Sequence, residues 1–90
     1  MLFEWGPAEA KINDRRHGVT LQEAAAAFGD PLSLTVPDPD HSVGERRFIT
    51  FGLSLKGRLL VVSHTDREDR IRIISARAIT PKEKRIYEED

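Results

Sequence analysis

The stretch FITFGLSLKGRLLVVSHTDREDRIRIISAR, residues 48–77, decides the fold. It holds three strand-like runs, Phe48–Leu55, Leu59–His64 and Arg70–Arg77, separated by Lys56-Gly57 and by the turn Asp66–Asp69. β-Branched and aromatic residues recur in the runs, and a glycine in a short link reads as a hairpin. Leu59-Leu60-Val61-Val62 is apolar on both faces, so it belongs in the middle of the sheet. Links this short imply antiparallel pairing, because a parallel crossover needs a dozen or more residues.

Working outward, Leu32–Val36 reads as a further strand, ended by Pro37 and the turn-rich Asp38-Pro39-Asp40. Near the N-terminus, residues 2–5 form a short strand, and Pro7 suits the first position of a helix, where its missing N–H costs nothing. That helix is expected to end at His17, with Gly18 taking the left-handed cap. Thr20 and Glu23 make a T-x-x-E capping box for a second helix, with Val19 stapling onto Ala24. Its apolar face is Leu21, Ala24, Ala25 and Phe28, and Gly29 closes it. Downstream, Thr80-Pro81-Lys82-Glu83 repeats the box and starts a C-terminal helix. The fold class is therefore α+β: two N-terminal helices and a C-terminal helix packed on an antiparallel sheet. No repeat or linker interrupts residues 1–90, which read as one domain.

A 90-residue chain buries only roughly 60–65% of its unfolded surface, so the core is thin and a partner could add stability. No apolar run approaches the ~20 residues of a membrane span, and MLFEWGPAEA lacks the pattern of a signal peptide. The absence of cysteine excludes disulfides and thiolate metal sites and fits a cytoplasmic location. The net charge of −1 argues mildly against non-specific nucleic-acid binding. The local distribution argues the other way. Bases gather at Lys11, Arg15 and Arg16, at Arg70, Arg72 and Arg77, and at Lys82, Lys84 and Arg85; acids gather at 38–45, at 66–69 and in the tail Glu88-Glu89-Asp90. Such segregation leaves room for one positive face suited to phosphate or to a charged partner.

Two places carry candidate chemistry. Glu9, Asn13 and His17 are spaced i, i+4, i+8 along the first helix, with Arg16 beside them. His17, in the last turn, suits proton transfer near neutral pH, and equally suits a plain contact with the helix's last carbonyls. In the last strand, alternation puts Arg70 and Arg72 on one face, about 6–7 Å apart, as a fork for phosphate oxygens or as a salt-bridged surface. Arg77 falls on the core side under strict alternation, unless a bulge follows Ile74 or the strand has already ended. His17, His41 and His64 lack metal-ligand spacing, and no phosphate loop or activated nucleophile is present, so neither metal nor cofactor is expected.

Taken together, Phe3-Glu4-Trp5, Asn13 through Arg16-His17-Gly18-Val19, Gly52 through Gly57-Arg58-Leu59-Leu60-Val61-Val62, Asp69 through Arg77 and the closing Glu83, Arg85 and Tyr87 resemble the BrnT toxins. The resemblance covers nearly the whole chain and implies a RelE-like fold with a curved antiparallel sheet. It further implies metal-independent RNA cleavage by 2′-hydroxyl attack. A BrnA-type ribbon-helix-helix antitoxin would neutralise the toxin, and DNA would be met only through that partner. By analogy, His17, Arg70, Arg72 and Arg77 are carried over as catalytic, and Asn13 and Arg16 as substrate-binding. Two positions depart from the family pattern, which has aspartate directly after the tryptophan and lysine four residues after it; here they are Gly6 and Glu9. An acid at position 9 would repel phosphate. A second reading is therefore a weakened or inactive module that binds its antitoxin and serves transcriptional autoregulation. A plain RNA-binding domain ranks third, since few aromatics are free to stack on bases.

Overall fold

The computed structural model describes residues 1–89, so Asp90, the end of the acidic tail, lies outside the described residues. Strand β1 (Leu2–Glu4) leads through Gly6 into helix α1 (Pro7–His17), followed by helix α2 (Leu21–Ala27). Strands β2 (Leu34–Pro37), β3 (Arg47–Leu53), β4 (Leu59–Arg67) and β5 (Arg70–Ala78) come next, and helix α3 (Pro81–Glu89) closes the described chain. A short 3-10 turn, Pro39–His41, lies between β2 and β3. The five strands form one open sheet in the order β1-β5-β4-β3-β2.

The α+β class and the three helices follow the sequence reading, with one refinement of the sheet. Strands β2 to β5 are antiparallel, as the hairpin links require, but β1 lies parallel to β5, pairing Leu2 with Arg70 and Glu4 with Arg72. The long excursion through α1 to β4 supplies the crossover that a parallel neighbour needs. Strand β4 occupies the centre, as its doubly apolar run demands, and Leu60 and Val62 are fully buried. The core joins them to Ile73 and Ala76 of β5, to Val19, and to Leu21, Ala24 and Ala27 of α2.

The ends of the elements show local chemistry winning over pattern. Gly18 takes φ 65° and stops α1. The Thr20 hydroxyl accepts from Glu23 N–H at 3.1 Å, but the Glu23 carboxylate does not complete the box; it turns inward to Ser54 and Arg58. The second box is complete, since Thr80 N–H and Glu83 N–H each bond the other residue's side chain. Strand β3 stops at Leu53 rather than Leu55 because Ser54 enters the turn, its N–H bonding the Arg58 carbonyl at 2.8 Å.

Strand β5 carries a bulge. Ser63 stands opposite Ser75 and His64 opposite Ile73, which leaves Ile74 without a counterpart. Ile73 and Ala76 can therefore both face the core although they are three residues apart. Arg72 stands opposite Thr65 and Arg77 opposite Val61, four positions apart on β4, so Arg77 joins Arg70 and Arg72 on one face. This resolves the parity conflict at Arg77 in favour of a bulge.

His64 lies in the core. Its Nε2 is 2.7 Å from the Thr50 hydroxyl, its ring stacks against Phe48 and meets Phe28 edge-on, and burial pushes its pKa down.

Candidate functional site

Strand β1 lines the outer edge of β5 only from Arg70 to Arg72. Beyond that point the backbone of β5 needs other partners, and α1 lies alongside to provide them. Asn13 is the buried residue of α1. Its amide donates to the Val19 carbonyl at 2.8 Å and to the Ala76 carbonyl at 2.9 Å, while its oxygen accepts from Ala76 N–H at 2.9 Å. The side chain is thus occupied in tying α1 to the uncovered edge of β5. That is a role the sequence reading, which took Asn13 as a substrate contact, did not foresee.

Between α1 and this edge, next to the bulge, a cleft of about 170 Å³ opens. Glu9, Ile12, Asn13, Arg16 and His17 line it from the helix, and Ile74 and Ser75 from the strand. The helical spacing of Glu9, Asn13 and His17 does bring them to one cleft. His17 ends the helix in an exposed position, and Arg16 makes no ion pair among the described residues.

Arg72 does not line the cleft but is bonded to Glu9, which does. Its Nη1 donates to Glu4 on the neighbouring strand at 2.9 Å, and its Nη2 to Glu9 in the first turn of α1 at 3.0 Å. Glu9 therefore belongs to both the cleft and the guanidinium. Gly6 leaves room for this arrangement, since a Cβ there would crowd the Glu9 carboxylate and force it to shift. The other two arginines of β5 do not line the cleft either. Arg70 is exposed and only 4.0 Å from Asp69. Arg77 grips Glu83 through two bonds of 2.8 and 2.7 Å, which anchors the start of α3 and drops the Glu83 carboxyl to about 2. A second tether, from the Tyr87 hydroxyl to Asp30 at 2.6 Å, holds the far part of α3 and pushes the phenol up to about 12. The basic face expected from the sequence is therefore interleaved with acids. Among the described residues no three His, Cys, Asp or Glu side chains gather as a metal site would require.

The profile of the family described as "Ribonuclease toxin, BrnT, of type II toxin-antitoxin system" matches residues 5–83, a span that contains the whole cleft. The chain belongs to the BrnT family. Membership implies an antitoxin protein as partner, since the family is of the type II class. The fold agrees with the crystal structure of the ribonuclease toxin BrnT from Brucella abortus, which superposes with a TM-score of 0.68 at 13% identity. That match covers 89% of this chain and 99% of the other. No curated protein sequence matches the chain. No described helix is long and apolar enough to cross a membrane.

Beyond the residues named in advance, the sequence reading missed the Glu4–Arg72 pair and the Glu23–Arg58 pair. The first becomes visible only once β1 is known to lie parallel to β5 in register. The second joins residues 35 positions apart, and no local pattern announces it.

Proposed function

We propose that this BrnT-family chain cleaves RNA without a metal ion, by attack of a ribose 2′-hydroxyl on the adjacent phosphorus. In this reading His17 transfers a proton, and Arg72 with Arg16 stabilises the charge that grows on phosphate. Arg70, on the same strand face as Arg72, meets a neighbouring phosphate, and Arg77 contributes by fixing α3. The reading is carried by one observation: an imidazole and a guanidinium unpaired among the described residues line a cleft whose Glu9 wall is bonded to a second guanidinium, that of Arg72. The partner is a BrnA-type ribbon-helix-helix antitoxin acting in the cytoplasm, which covers the cleft and carries the only contact with DNA. Purified protein in excess chelator should cut RNA, and His17→Ala and Arg72→Ala should each abolish cutting while the circular dichroism spectrum is kept. Normal cutting by both variants would show that the chemistry lies elsewhere.

A second reading rests on the same arginine. Arg72 already holds two carboxylates, so phosphate must displace one of them. If it cannot, the chain is an inactive module that binds its antitoxin and takes part in autoregulation. Tight complex formation with the product of an adjacent reading frame, together with intact RNA after the partner is stripped away, would establish that case.

A further inference from the structure

We infer that Glu9 is the general base of the reaction, taking the proton from the attacking 2′-hydroxyl; the assignment rests on the ribonuclease reading above. Three observations support it. The Glu9 Oε1 accepts from Arg72 at 3.0 Å, so a proton acceptor sits next to the guanidinium assigned to phosphate. In RNA the 2′-oxygen and the phosphorus it attacks are neighbours on one nucleotide, so base and phosphate clamp must be neighbours as well. The second oxygen of Glu9 has no hydrogen-bond partner among the described residues, and the side chain is 43% exposed, which leaves that oxygen open to substrate.

The second observation is the place of His17. It lines the same cleft from the other end of α1. At 1.5 Å per residue the two Cα atoms are about 12 Å apart, and the Glu9 carboxylate lies back beside Gly6, so the two groups stand at opposite ends of the cleft. In-line displacement requires proton acceptor and proton donor on opposite sides of phosphorus, and Glu9 and His17 line the cleft from opposite ends of the helix.

The third is Gly6. The space a side chain would take at that position is filled by the Glu9 carboxylate. The bare position 6 leaves the Glu9 carboxylate room to reach Arg72 from the helix. Glu4 continues to hold Arg72 through Nη1 when Nη2 turns to phosphate, so the guanidinium stays aimed.

The step balances. The 2′-O–H bond breaks and its proton passes to Glu9 Oε2, the 2′-oxygen bonds to phosphorus, the P–O5′ bond breaks, and protonated His17 gives its proton to O5′. The products are a 2′,3′-cyclic phosphate and a 5′-hydroxyl, and exchange with water resets both side chains.

The test compares the wild-type chain with Glu9→Gln and Glu9→Asp on a short synthetic RNA, with binding measured on the same RNA carrying 2′-deoxyribose. Glutamine keeps an oxygen for Arg72 but cannot take the proton. The wild type should leave cyclic phosphate ends. Glu9→Gln should cut roughly 10²–10⁴-fold more slowly while binding the deoxy strand at least as tightly as wild type, because it removes a negative charge from beside the phosphate. Glu9→Asp, which restores a carboxylate, should recover part of the rate. Cutting by Glu9→Gln at the wild-type rate or faster would overturn the assignment and make Glu9 a mask on Arg72, with the ribonuclease reading intact. Failure of the wild type itself to cut would remove both.

Discussion

Two arginines of this sheet meet carboxylates in opposite ways. Arg58 faces one acid, Glu23, whose side chain is only 3% exposed. Every acceptor there is used: Arg58 Nε and the Ser54 hydroxyl bond Glu23 Oε2 at 2.9 and 2.7 Å, Arg58 Nη2 bonds Oε1, and the same Nη2 reaches the Gly18 carbonyl at 2.9 Å. The cluster ties the end of α1, the first turn of α2 and the β3–β4 turn into one knot. The Arg58 bonds hold the Glu23 carboxyl below its ordinary range against the opposing pull of burial. Arg72, by contrast, faces two acids, and one cation between two anions leaves a negative charge over. All three side chains are partly open to water, at 24%, 26% and 43%. A closed one-to-one pair resists exchange, whereas an open one-to-two cluster can give up one anion for another, and phosphate is an anion.

The sharpest way to break this comparison is to remove the closed arginine. Arg58→Ala leaves a buried carboxylate with the Ser54 hydroxyl but no cation, the costly way to break an ion pair. Its Tm should fall by roughly 15 °C or more, as expected when several kcal/mol are lost from a domain of this size. A melt within a few degrees of wild type would show that Glu23 finds water and that the knot is not closed. Asn13→Ala comes next. It leaves the Val19 and Ala76 carbonyls and the Ala76 N–H unpaired beside the cleft, for a loss of about 2 kcal/mol in urea unfolding. Asn13 would then rank with Arg58 as architecture, although it lines the same cleft as His17.

How far the sequence reached follows from the range of each interaction. Hairpins, caps and the central strand depend on residues a few positions apart, and these were legible. The Glu9–Asn13–His17 stripe was legible too, because helical spacing alone brings it to one cleft. The meaning of its members was not. Asn13 is spoken for by the backbone of a strand 63 residues away, and Arg72 by an acid on β1 68 residues away. Both contacts depend on where β1 stops along β5, which no local pattern encodes. The bulge at Ile74 sits at the limit of legibility: the awkward parity of Arg77 called for one, and only the register with β4 locates it.

A smaller effect separates a third pair from the other two. Glu83 holds Arg77 and also accepts from Thr80, and the Arg77 bonds contribute most to keeping its carboxyl near 2 rather than the ordinary 4.5. A depressed carboxyl adds stability above 4.5 that drains away as the pH falls toward 2. Glu83→Gln should therefore be less stable than wild type near pH 6, with the gap narrowing near pH 3. A gap of constant size would mean that the charge is not what holds α3 to β5.

The smallest expected change in stability is also the most informative one. Arg72→Ala removes a cation from partly exposed carboxylates, which can turn to water, and pairs of that kind add little to folding. Its Tm should move by less than about 3 °C, while RNA cleavage, in the reading proposed here, is lost. The same substitution at Arg58 should do the reverse to the melt. The contrast matters because the two residues are alike in type, in strand-proximal position and in having glutamate partners; they differ in how many acids they hold and in whether those acids are sealed from solvent. A steep loss of stability in Arg72→Ala would make that arginine a second structural staple. Its guanidinium would then be too firmly held to turn toward a phosphate.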